Sequence, residues 1–158
     1  MTNLSQDLTG QTVTGYHENL GMVICLLNQS KFHDGFLLWN LSIDIMPALM
    51  RGHLKLYFND QQRPIGFVIW EWVNSRTISH LVNLDAISSI DNCPQQEYLL
   101  INEFIGTATN AKAMIQDLTN HMFSGEHIFC LSRHTDGSIR KVHHWQGAQL
   151  RSNRAAVS

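Results

Sequence analysis

HLKLYFNDQQRPIGFVIWEWV, residues 53–73, is the stretch that decides the fold. Leu54, Leu56 and Phe58 alternate with His53, Lys55 and Tyr57, the period-two pattern of a strand. Residues 59–64 are polar and turn-forming, and residues 65–73 are a second apolar run. Two such runs joined by a short turn predict a β-hairpin.

Upstream the period becomes helical. Leu20, Val23, Ile24 and Leu27 predict a helix over residues 16–28. Leu37, Leu41, Ile45 and Leu49 predict a second over 36–50, which Pro47 kinks or restarts and Gly52 ends. Between them lies a polar turn with one aromatic, Phe32. Downstream, residues 76–90 fit either a helix or a loop with a short strand, and 91–94 read as a turn. Residues 98–105 are strongly apolar and predict a central strand. Met114, Ile115, Leu118 and Met122 mark a helix over 111–123, stopped by Ser124 and Gly125. Residues 127–133 and 139–145 read as strands around a turn at 135–137. The order α-α-β-β-(α)-β-α-β-β predicts an α+β fold, a mostly antiparallel sheet with helices packed on it. No repeat or linker divides the 158 residues, so they read as a single domain with flexible ends at 1–15 and 149–158.

Composition narrows the function. With 44% hydrophobic and 15% charged residues, wholesale disorder is excluded. The first ten residues are polar and lack the pattern of a signal peptide, and no apolar run is long enough for a membrane span. Cys25, Cys93 and Cys130 are odd in number and far apart, which points to the cytosol. Cys25 and Cys130 lie in apolar runs and are expected to be buried. Arg133, Arg140, Lys141, Arg151 and Arg154 crowd residues 133–158, where Asp136 is the one acid. This basic end suits an acidic partner or serves as a solubilising tail, and it is too sparse to indicate nucleic acid. The nine histidines have no metal-ligand spacing, and no glycine-rich phosphate loop or Gly-x-Ser-x-Gly is present. No metal or bound cofactor is therefore expected.

Ser30-Lys31-Phe32-His33 lies in the turn between the two helices. A neutral imidazole there can take a proton near neutral pH, although a turn histidine is as readily plain surface. The surrounding residues add to this. Leu20-Gly21-x-Val23, Ser30-x-x-His33 and Ile43-x-Ile45-x-Pro47-Ala48, in this order, resemble the opening of the RTX toxin-activating lysine acyltransferases, the haemolysin-activating family. The resemblance continues through Leu54-Lys55-Leu56-Tyr57, Arg63-Pro64-Ile65-Gly66, Ile69-Trp70, Leu99-Leu100-Ile101-Asn102 and Ile139-Arg140-Lys141-Val142 with Gly147.

It implies a cytoplasmic enzyme with an acetyltransferase-like (GNAT-like) α+β fold. Such enzymes move a fatty acyl group from acyl carrier protein to internal lysines of an RTX protoxin, as an amide. Acylation activates the toxin for haemolysis and cytolysis, and the enzymes tend to form homodimers. They lack the coenzyme A pyrophosphate loop, and no Arg/Gln-x-x-Gly-x-Gly/Ala occurs here.

By this resemblance His33 falls on the family's essential histidine. Ser30 falls on its nearby serine, which orients the imidazole or donates to the developing oxyanion, unless it is only a cap or turn hydroxyl. Asn102 stands where the family has an aspartate. An amide supplies no charge to hold an imidazolium. Three readings follow: Asn102 still orients His33; Glu103 supplies the carboxylate, although on a regular strand it points to the opposite face; or the chain is weakened or non-catalytic. Trp39, Phe67, Trp70, Trp72 and Phe104 either line an acyl-chain groove or are core. The competing functions are a non-catalytic protein that binds toxin or carrier protein, and an acyl-CoA-dependent N-acyltransferase.

Overall fold

A computed structural model describes residues 6–7, 13–30, 41–81, 97–136 and 138–156. In chain order its elements are β1 (Gln6–Asp7), α1 (Val13–Gln29), a π-helical turn (Leu41–Ile45) running into α2 (Met46–Arg51), β2 (Leu54–Phe58) and β3 (Pro64–Asn74). There follow α3 (Ser75–Leu81), β4 (Glu97–Gly106), α4 (Ala108–Asp117) with a π-helical extension (Leu118–Met122), β5 (His127–Arg133), β6 (Ile139–Gln146) and α5 (Ala148–Ala156). The six strands lie side by side in chain order, antiparallel except for the parallel pair β4 and β5. A parallel pair needs a crossover, and α4 supplies it. The fold is α+β, with the mostly antiparallel sheet expected.

The element order gains β1 at its start and α5 at its end. The stretch left open at 76–90 begins as a helix, α3; its remainder and the expected turn at 91–94 lie outside the described residues. α4 starts at Ala108, earlier than the apolar stripe alone indicates.

Local chemistry explains the hairpin. The Asn59 side-chain oxygen accepts from the Gln61 and Arg63 amides at 3.0 and 2.9 Å, and Gln62 takes φ 59°. Gly52 ends α2 at φ 71°, its N–H directed at the Leu49 carbonyl while that of His53 reaches Ala48. Pro47 sits in the first turn of α2, where its missing N–H costs no helical bond.

Both faces of the sheet are covered. On one, Leu54, Leu56, Phe67, Ile69 and Ile105 pack with Val23, Leu26 and Leu27 of α1 and with Ala48 and Leu49 of α2. On the other, Tyr57, Val68, Trp70, Leu99, Ile101, Ile128 and Cys130 pack under Met114 and Leu118. All five residues of β2 are buried, Lys55 included. Its ammonium meets the Asp117 carboxylate at 2.8 Å, and the Tyr57 hydroxyl donates to the same oxygen at 3.0 Å. Gly66 and Gly106 face each other across β3 and β4, and a Cβ on either would strike the Met114 side chain. Two glycines thus let α4 lie close on the backbone. Cys130 is buried as expected, but Cys25 is exposed. The stripe Val23, Leu26, Leu27 takes the inward side of α1 and turns Cys25 outward. Among the described residues no helix is long and apolar enough to cross a membrane.

Candidate active site

β4 departs from regular pairing at one place. Ile69 opposes Glu103 and Trp70 opposes Ile101, which leaves Asn102 as an extra residue, a β-bulge. Parallel pairing of β4 with β5 ends at the same point, at Ile101 and Cys130. Beyond it, β4 continues against β3, and β5 against β6. The sheet forks at Asn102, and Arg133 faces Glu103 across the fork at 3.8 Å.

The bulge decides which side chains meet. Residues directly opposite on paired strands share a face. Ile69 lies on the α1 face, so Glu103 lies there too. Glu71, two residues along β3, is on that face as well. The Asn102 Nδ2 donates to the Glu71 carboxylate at 2.5 Å. Asn102 and Glu103 are therefore on one face, not on opposite faces as a regular strand would place them. An ionised carboxylate only accepts, so the amide nitrogen must be the end facing Glu71. The amide oxygen is what Asn102 offers elsewhere.

Ser30 closes α1, its N–H donating to the Leu27 carbonyl at 3.0 Å. His33 lies outside the described residues, as do Trp39 and Cys93. The ends of its segment are described. Leu26 and Leu27 before it and Leu41 after it pack on the cluster that holds Ile69 and Ile105. These described neighbours lie on the face that carries Glu71, Asn102 and Glu103.

Other expected features part company. Phe67 is buried on the α1 face, whereas Trp70, Trp72 and Phe104 lie on the α4 face beside Phe123 and Trp145. The sheet separates them, so these four do not line one groove. The basic residues near the end are partly engaged: Arg140 donates to the Ser132 hydroxyl at 2.9 Å and Arg151 to Asn120 at 2.8 Å. Burial, reinforced by the Glu103 carboxylate, pushes the Cys130 thiol up to about 12. It stays protonated at neutral pH and is no thiolate nucleophile.

Sequence reasoning missed Glu71. Its one signal is position: a carboxylate between Trp70 and Trp72 in the apolar run of β3.

A forked α+β sheet, helices on both faces and a polar bulge at the fork give the frame of an acetyltransferase-like enzyme. Residues 13–146 match the RTX toxin acyltransferase family, and the chain belongs to it. That family places the protein among the acyltransferases that activate RTX toxins. The chain is also 23% identical over 119 residues to "Uncharacterized protein sll0720" of Synechocystis sp., covering 75% of this chain and 81% of that protein.

Proposed function

We propose that this acyltransferase moves a fatty acyl group from acyl carrier protein to internal lysines of an RTX protoxin. The observation that carries the reading is the polar bulge at the fork, in a chain matched to the family over residues 13–146. A lysine amine at its ordinary pKa of about 10.4 is protonated and not nucleophilic. The reaction needs a base. The amine nitrogen attacks the thioester carbonyl carbon, the C–N bond forms and the C–S bond breaks. The amine proton goes to the base, and the departing carrier thiolate takes up a proton.

His33 is that base. Asn102 orients it by accepting an imidazole N–H on the amide oxygen. Ser30 steadies the imidazole or donates to the developing oxyanion. What supports this arrangement is that the described residues on either side of His33, Leu27 and Leu41, pack on the side of the sheet where Asn102 sits. The acyl-carrier thioester is the donor, and the reaction proceeds in the cytoplasm with no bound cofactor. The enzyme is a homodimer.

One observation favours a second reading, a protein that binds toxin or carrier protein without catalysis: residue 102 is an amide. Intact-mass spectrometry of a protoxin fragment co-expressed with the wild-type chain or with His33→Ala decides. Added fatty-acyl mass on lysine, lost with His33→Ala, is the expected result. No added mass from folded wild-type chain with acyl carrier protein present favours the binding protein.

A further inference from the structure

We propose that Glu71 is a positioning residue for acyl transfer: through Asn102 it supplies the negative charge that the amide lacks. The inference rests on the acyltransferase reading above.

Glu71 is half-buried in a strand that is apolar from Ile65 to Val73 but for this residue and Gly66. A carboxylate in such a place is costly unless it is hydrogen-bonded. Its partner is the Asn102 amide, and the bulge is what brings the two together. The second carboxylate on this face, Glu103, looks toward Arg133, so its charge has a counterpart. Among the described residues Glu71 has no cationic partner.

The orientation of the amide follows from donor and acceptor chemistry. Glu71 commits the nitrogen, so the oxygen is presented to the site. An amide oxygen can select an imidazole tautomer. Alone it does little for the positive charge that appears when the base takes the lysine proton. A carboxylate bonded to the far end of the same amide polarises it and compensates that charge at one remove. Glu71 need not touch substrate to do this.

The test is acylation of a protoxin fragment by acyl carrier protein thioester, followed across the pH range in which imidazole titrates. Glu71→Gln keeps size and hydrogen bonding and removes charge. It is expected to lower kcat about 10–100-fold with KM little changed. It should also move the acid limb of the profile to lower pH, because a lost negative charge lowers the pKa of the base. Asn102→Asp alone sets two carboxylates against each other and should not raise the rate. The double variant Glu71→Gln/Asn102→Asp exchanges amide and carboxylate and should recover most of it.

A folded Glu71→Gln variant with wild-type kcat and acid limb overturns the inference while the acyltransferase reading stands. No transfer by the wild-type chain overturns that reading, and the inference with it. Should Glu71→Gln not fold, the exchanged variant decides: near wild-type transfer supports the role, and its absence from a folded exchanged variant overturns it.

Discussion

The sheet holds two polar clusters built from similar side chains. On the α4 face, Lys55, Tyr57 and Asp117 close on one another. Lys55 is 4% exposed, β2 and β3 are in regular register at Lys55, and α4 lies over the group. On the α1 face, Glu71, Asn102 and Glu103 gather where a bulge breaks register and the sheet forks. These three are half-buried. The first cluster turns its polar atoms inward and satisfies them there. The second leaves an amide oxygen for something else. Similar chemistry closes on itself in one place and stays open in the other, and the strand register separates the two cases.

The largest expected effect is on the closed cluster. Asp117→Ala strands a buried ammonium and should cost about 3–5 kcal/mol in urea denaturation. Lys55→Met combined with Asp117→Leu should regain most of that. A loss below about 1 kcal/mol for Asp117→Ala would mean that water reaches Lys55, and the contrast would fail.

Gly66→Ala comes next. Its methyl would meet the Ile105 carbonyl and Met114, so about 1–3 kcal/mol should be lost in the same measurement.

Asn102→Ala sharpens the comparison from the other side. Its stability should change by about 1 kcal/mol or less, since the residue is half-buried, while acyl transfer falls about 10–100-fold. Stability lost on the scale of Asp117→Ala would make both clusters structural.

The smallest effect concerns pH. Burial lowers the pKa of both His127 and His144, and His127 lowers His144 further by repulsion. The unfolded chain therefore binds these protons more readily than the folded one. The associated stability is present above the ordinary value of 6.5 and is lost as pH falls below it. His144→Phe keeps a ring stacked on Phe129 and should flatten the dependence of the urea midpoint on pH there.

The hairpin, the central strand and the helix after it are legible in the sequence because each is a local pattern. Leu54 to Phe58 alternate within five residues, and Met114 and Leu118 recur at helical spacing. Asn102 is legible only through resemblance, on a run that otherwise reads as core. Glu71 is not legible as its partner, because 31 residues separate them and the bulge that joins them is a property of pairing. The alternation in β2 likewise suggests one covered face, and only Asp117, far along the chain, explains why Lys55 is buried.

The fork has a mechanical consequence. Three residue pairs, Leu99 to Ile101 against Ile128 to Cys130, are the backbone seam between the ribbon β1–β4 and the ribbon β5–β6. Past that seam the register of β4 with β5 stops among the described residues, and Arg133 faces Glu103 across the gap. Side chains do the rest of the joining: the cluster under Met114 and Leu118 draws on both ribbons, and Phe104 meets Trp145 across the fork, so packing rather than pairing holds the two at one angle.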